Sequence, residues 1–298
     1  MWREPFCFLS EILKRYMPNN TPTPLQPAAV LFVIGVILFL ALGCGSRGDT
    51  RSVLVFSKTE GFRHASIEDG QEMFRRLARE ESFSVDFTED ASIFRQEELS
   101  KYNVIVFLST TGDVLNFEQQ RELERFMEAG GSWMGIHAAA DTEYDWPWYN
   151  ELVGAYFQSH PKGQPQATIV VLDHDHPATK HLPDEWIRKD EWYNYKSIKD
   201  DFTTLMRVNE DSYQGGENGA IHPIAWYKPV GNGRMFYTGL GHTSESYREP
   251  EFVQHIAGAL TYLFGNNRPV DYTAVAVNWD QNLLEGVGVA TAALSGVR

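Results

Sequence analysis

The chain has 298 residues, 43% of them hydrophobic and 13% aromatic, enough to bury one substantial core. Its formal net charge of -14 comes from acidic side chains that are scattered rather than run together, which argues against nucleic acid or an anionic lipid surface as partner and favours a neutral or cationic small molecule. The two cysteines, Cys7 and Cys44, both precede the region that reads as folded, so no disulfide framework, cysteine metal site or cysteine nucleophile can be built in the core.

Residues 1–27 form an N-terminal segment of weak charge. Residues 28–44 are almost wholly apolar, a length between a signal-peptide core and a full membrane span. The run Leu40-Ala41-Leu42-Gly43-Cys44 is similar to a bacterial lipoprotein signal, whose cysteine is lipidated; an uncleaved single-span anchor is the other reading. Both place the folded region outside the cytoplasm, joined to the membrane by a polar linker at residues 45–50.

From residue 51 to 265 apolar strand-like runs alternate with helical patterns, the signature of an α/β domain with a mostly parallel sheet and helices on both faces. Residues 52–56 read as a first strand, 66–80 as a helix with Met73, Phe74 and Leu77 on one face, 82–87 as a second strand and 103–108 as a third. Asn116 with Gln119 forms a capping-box start for a helix that Gly130 closes, and Phe117, Leu123, Phe126 and Met127 mark its buried stripe. A strand from Gly130 then breaks at His137. Further strands are expected at 167–172, 203–208, 221–227 and 234–240, the last two joined by a hairpin turn at Gly231-Asn232-Gly233. A final helix carries Pro250 in its first turn and ends at Gly265, and the tail at 266–298 shows only weak periodicity.

The break at His137 is the most informative feature. Gly135, Ala138, Ala139 and Ala140 supply the small neighbours that a tight strand-to-helix elbow needs, a place where enzymes usually put Ser or Cys. Here an imidazole occupies it, with Asp141 one turn on. In an open α/β sheet, residues at the carboxyl ends of strands face the ligand crevice. His64 follows the first strand, His242 follows the strand at 234–240, and His160 and the cluster Asp190-Glu191-Trp192-Tyr193 add polar groups. Each has a plainer reading, as a satisfied core histidine, a loop cap or a solvated acidic pair. His174 and His176 read as structural members of an exposed turn, and His181, His222 and His255 as background. No dinucleotide or P-loop fingerprint follows a strand, so a nucleotide cofactor is not indicated.

Taken in order, His64-Ala-Ser66, Gly-Ile-His137-Ala-Ala-Ala-Asp141, Leu-Val-Gly-Ala-Tyr-Phe-Gln-Ser-His160-Pro, Asp-His176-Pro-Ala-Thr, Asp190-Glu191-Trp-Tyr193, Pro223-Ile-Ala-Trp226 and Gly-Arg-Met-Phe-Tyr-Thr-Gly-Leu-Gly-His242 resemble the ThuA-like trehalose-utilisation family. The resemblance implies a flavodoxin-like sheet related to class I glutamine amidotransferases, with His137 where those relatives carry their catalytic cysteine. Glutamine hydrolysis through a thioester is thereby excluded. It also implies work on sugars, as 3-keto glycosides made by a partner oxidoreductase. The expected catalytic groups are His64, His137, Glu191 and His242, with His137 or Glu191 as base and His242 or His64 as acid, since imidazoles titrate near neutral pH without much tuning. Arg63, Asp141, Asp190, Tyr193 and Trp146 are the candidates for holding substrate. In a variant of this reading His137, His160 and His242, with or without Glu191, bind one divalent zinc or manganese ion that polarises the keto oxygen, although no local ligand-spacing motif is present. The competing class is a non-catalytic sugar-binding module serving a transport or sensing partner.

Overall fold

The computed structural model describes residues 51–265, 270–273 and 275. The N-terminal segment, the apolar stretch, the linker up to residue 50 and most of the tail lie outside the described residues. Among the described residues no helix is long and apolar enough to cross a membrane.

Among the described residues eleven strands and five α-helices succeed one another in chain order: β1 (Ser52–Phe56), α1 (Ile67–Glu80), β2 (Ser84–Thr88), α2 (Gln96–Leu99), β3 (Val104–Leu108), α3 (Phe117–Glu128), β4 (Ser132–Ile136), α4 (Pro147–Val153), β5 (Tyr156–Ser159), β6 (Gln166–Val171), β7 (Glu185–Lys189), β8 (Asn194–Lys196), β9 (Thr203–Asn209), β10 (Pro223–Val230), β11 (Gly233–Thr238) and α5 (Pro250–Phe264). Nine strands form one sheet in the order β2-β1-β3-β4-β11-β10-β9-β6-β7, while β5 and β8 pair separately. The half from β2 to β11 is parallel and the half from β11 to β7 antiparallel. The α/β expectation holds. The sheet is more mixed than a flavodoxin-like core alone would give, because the chain after β5 returns by hairpins instead of crossover helices.

Period-2 geometry explains the two-layer core. Val53, Val55, Val104, Val106, Met134 and Ile136 face one way and pack with Met73, Phe74 and Leu77 of α1 and Phe252, Ile256 and Leu260 of α5. Leu54, Phe56, Ile105, Phe107 and Trp133 face the other way, under Leu123 and Phe126 of α3 and Tyr149 and Leu152 of α4. The parallel strands are buried on both faces, which is why they read as unbroken apolar runs. The Asn116–Gln119 capping box forms as expected. The hairpin turn between β10 and β11 also forms: Val230 pairs with Gly233, and Gly231 takes a φ of 56°, the left-handed conformation such a turn demands. From the tail, Tyr272 and Val275 join the α3-side core and Asp271 N–H donates to Ala129 O at 2.8 Å.

Two histidines read as background or structural are buried as neutral rings. His255 donates from Nδ1 to Ala178 O at 2.8 Å, and burial pushes it down to about 3. His176 accepts from Ala178 N–H at 3.2 Å, and burial pushes it down to about 4 although Asp173 pulls the other way. Both folded values lie below the unfolded value of about 6.5, so the unfolded chain takes up protons first as the medium is acidified. Their neutral burial therefore costs nothing above pH 6.5 and progressively weakens the fold below it, by about 1.4 kcal/mol per pH unit for each ring. Urea unfolding between pH 7.5 and 4.5 checks this: the fall in stability should be shallower in His255→Asn, whose amide can keep the donor to Ala178, and an unchanged slope would contradict it.

Candidate functional site

The loops that come after β1, β3 and β4 are joined to one another above the sheet edge. Glu60 N–H donates to Thr111 O at 2.8 Å, Gly112 N–H to Asp141 O at 2.8 Å and Glu143 N–H to Gly112 O at 3.2 Å. This mutual bonding fixes the segment bearing His64 against the turn bearing His137.

At that turn the chain passes from β4 straight into a 3-10 turn, His137–Ala140, with His137 at a φ of 50°. A non-glycine residue in the left-handed region costs about 1–2 kcal/mol and persists only where its surroundings over-determine it. Here they do. Tyr237 donates its hydroxyl to His137 O at 2.8 Å, Tyr149 donates to Ala139 O at 2.7 Å, and His137 Nδ1 donates to Gly239 O at 3.0 Å. Gly239 must be glycine for this approach, because a Cβ there would sit 2.1 Å from the Tyr195 hydroxyl. With Nδ1 committed as a donor, a neutral His137 ring turns the lone pair of Nε2 inward.

Three atoms meet at that lone pair. His137 Nε2 lies 3.2 Å from His242 Nδ1 and 3.3 Å from Glu191 Oε2, and His242 Nδ1 lies 3.1 Å from Glu191 Oε2. His64 stands edge-on to both imidazoles, its ring centroid 4.8 Å from that of His137 and 5.2 Å from that of His242. The Tyr193 ring covers His137 at 4.3 Å. Each of His64, His137, Glu191 and His242 offers one donor atom to a common centre, and these four atoms all lie within 4.8 Å of one another.

Exposure grades outward from this centre. The His137 side chain is fully buried, Glu191 and His242 are 11% and 19% exposed, and His160 is 39% exposed at the mouth. His160 Nδ1 faces two acceptors, Pro161 O at 2.9 Å and Glu191 Oε1 at 3.3 Å, an arrangement that favours the tautomer with its proton on Nδ1 and its lone pair on Nε2. Burial works against ionised Glu191, yet the imidazoles of His137 and His242 beside it outweigh that and hold the carboxyl well below its usual range. For His242 burial likewise favours the neutral ring, but bonding to Glu191 and its charge win and the ring is held above the usual histidine value. Burial and the neighbouring His137 and His242 drive His64 down to about 3, so it is neutral and a lone-pair donor rather than a proton donor.

The remaining sequence candidates fall into different places. Asp190 is fully buried beneath the pocket rather than facing substrate: Oδ1 accepts from Glu191 N–H at 2.9 Å and His242 N–H at 3.1 Å, Oδ2 accepts from Gly241 N–H at 3.0 Å, and Arg188 lies 3.1 Å from Oδ2. It is a positioning residue, and the reading of Asp190-Glu191 as a solvated pair does not hold. Trp146 is also no wall for a ligand, because it is buried against Trp148 and Tyr149 and its Nε1 donates to Glu124. Arg63 sits at the surface, ion-paired to Glu68 and Glu89 at 2.8 and 2.9 Å. Asp141 is half-buried and accepts from Tyr144 at 2.6 Å, burial raising its carboxyl above the usual range. His160 stands outside the compact donor set that the sequence assigned to it and reaches that set only through Glu191; His64 takes its place.

Sequence reasoning missed Phe62, two residues before His64, whose ring lies 67% exposed beside the pocket with its centroid 4.9 Å from that of His64. It also missed Tyr237 and Gly239, which shape the turn, and Arg188, whose guanidinium lies 4.6 Å from the Trp186 ring centroid.

A mixed α/β sheet with an elbow histidine and a convergent His/Glu cluster at the ends of its parallel strands defines an α/β protein with a flavodoxin-like core. Residues 52–263 match the model of the ThuA family, described as trehalose utilisation, and the chain belongs to that family. A ThuA-like protein of Bacteroides uniformis superposes with a TM-score of 0.65 at 23% identity, covering 76% of this chain and 96% of that one. A ThuA-like protein of Parabacteroides merdae gives 0.60 at 20% identity, with 72% and 90% covered. A cytoplasmic protein of Salmonella typhimurium gives 0.52 at 11% identity, covering 71% and 98%. At these identities the likeness is one of fold. No curated protein matches the chain.

The Asp190 clamp has a measurable consequence. Asp190→Asn keeps the shape but presents a donor to backbone N–H groups and leaves Arg188 buried with one fewer counter-charge, at a cost of about 3 kcal/mol. Equilibrium urea unfolding at pH 7.5 should show that loss, and a change below about 1 kcal/mol would mean the three N–H bonds hold nothing in place.

Proposed function

We propose that the domain is an extracytoplasmic enzyme that cleaves or rearranges a sugar carrying a ketone, such as a 3-keto glycoside. The single observation that carries this reading is the paired arrangement at the pocket mouth: a histidine base, His160, oriented by Glu191, beside an inner electropositive group at His242. The family's link to trehalose utilisation supports a sugar as substrate.

The chemistry rests on these groups. A ketone at C3 acidifies the hydrogen on C2. His160 Nε2 removes that proton, and the C–H electron pair forms a C2=C3 double bond while charge collects on the C3 oxygen, where the His242 imidazolium hydrogen-bonds it. The pair then returns to form C1=C2 as the glycosidic C1–O bond breaks, and the proton held by His160 passes to the leaving oxygen. His137 is sealed from solvent, which moves the base role from the elbow histidine to the outer ring. Tyr193 packs over the centre and Asp141 lies beside it, both placed to hold sugar hydroxyls.

In this reading residues 28–44 tether the domain to a membrane, either through lipidated Cys44 or as a single span, and a partner sugar oxidoreductase supplies the ketone.

Incubating the full chain in detergent with 3-keto-trehalose, or with a 3-keto-glucoside, tests it. Release of glucose or of an unsaturated keto sugar is expected, with kcat falling about 100-fold or more in His160→Ala. Intact ligand bound at micromolar affinity without product would overturn the catalytic reading in favour of a sugar-binding module.

A further inference from the structure

We propose that His64, His137, His242 and Glu191 form a binding site for one divalent transition-metal ion. The site occupies the same pocket as the proposed sugar reaction and rests on that reaction only for what the ion does, not for whether it binds.

The donor atoms have the spacing of a coordination shell. His137 Nε2, His242 Nδ1 and Glu191 Oε2 stand in a triangle with edges of 3.1, 3.2 and 3.3 Å. An ion with metal–nitrogen and metal–oxygen bonds near 2.0–2.1 Å separates tetrahedral ligands by about 3.3–3.4 Å and octahedral neighbours by about 2.9 Å. The triangle therefore has the dimensions of one face of such a shell, and His64 lies over it with all four donors within 4.8 Å.

The protonation states agree with this arrangement. His137 Nδ1 is fixed as the proton-bearing nitrogen by Gly239 O, the outer-shell hydrogen bond by which proteins orient a metal-binding imidazole. His64 Nδ1 is buried and has no hydrogen-bond partner among the described residues. Asp190 provides further outer-shell support by holding the backbone of both Glu191 and His242. A carboxylate oxygen and two imidazole nitrogens within 3.3 Å of one another form a donor set that a cation at their centre would satisfy.

Three imidazoles and one carboxylate suit zinc or manganese better than calcium or magnesium, which prefer an all-oxygen shell. In the sugar reaction such an ion would take the place of the proton on His242 in polarising the keto oxygen, leaving His160 free outside the shell as the base.

Full-length protein purified in detergent without a His tag, stripped with chelator and titrated with zinc against a chromophoric competitor, should take up one ion per chain at micromolar affinity or tighter. Glu191→Gln and His242→Ala should each weaken binding by about 100-fold or more, beyond what loss of an outer-shell partner costs. His174→Ala and His181→Ala, on other faces, should leave it unchanged. Cobalt substitution should give visible d–d bands that vanish in Glu191→Gln, and circular dichroism would confirm that each variant is folded. Less than a tenth of an equivalent bound at ten micromolar zinc, or affinity unaltered in folded Glu191→Gln and His242→Ala, would overturn the site. Sugar turnover that persists in excess chelator would overturn the ion's proposed role while sparing the enzyme, whereas zinc bound as expected without turnover would sink the enzyme reading and leave the site standing.

Discussion

The carboxylate of Asp190 is the interaction on which the pocket depends. It lies just past β7, at the far edge of the sheet, yet it collects N–H groups from Glu191 beside it and from Gly241 and His242 after β11. Three strands, β10, β9 and β6, separate the two segments along the sheet, and one buried anion pins them together. Its charge is answered by Arg188, itself enclosed by Trp186 and Phe252 and paired with Glu249. A buried carboxylate without such partners would be protonated or driven to the surface. Satisfied in this way, it presents Glu191 and His242 to His137 at hydrogen-bond distance.

The second constraint is the left-handed turn at His137. The strain there is offset by Tyr237, Tyr149 and Gly239, and its product is an imidazole whose inner nitrogen is aimed and whose outer nitrogen is occupied. Burial then grades the site: the innermost rings, His64 and His137, are sealed from solvent, Glu191 and His242 lie between, and the outermost ring, His160, is the most exposed. One set of side chains thus divides into a sealed centre and an accessible rim by depth alone.

Much of this was legible in the chain. The parallel strands β1, β3 and β4 are buried on both faces and announce themselves as apolar runs, the capping box at Asn116 and the turn at Gly231-Asn232 obey local rules, and His137, His64 and His242 are found simply because they come after strands. The failures have physical causes. In β7 the alternation is inverted, with Arg188 buried and Ile187 exposed, so no apolar stripe marks it, and β8 has three residues. Asp190 was taken for a ligand group because a sequence cannot tell a carboxylate that faces a crevice from one that clamps the backbone below it. His160 and His64 exchanged places for the same reason: chain order places both near the strand ends, and only packing decides which ring is sealed in and which stands at the mouth.

Imidazoles far apart in the chain share one centre with Glu191, and long-range 1H–15N NMR of histidine-labelled protein at pH 7, compared with Glu191→Gln, tests this most directly. The side-chain nitrogens of His137, His160 and His242 should shift together while those of His174 and His181 stay in place, and the His242 ring, without the carboxylate that raises it, should move toward its neutral form. An absence of shifts at these three rings, or shifts spread evenly over all the histidines, would contradict the account.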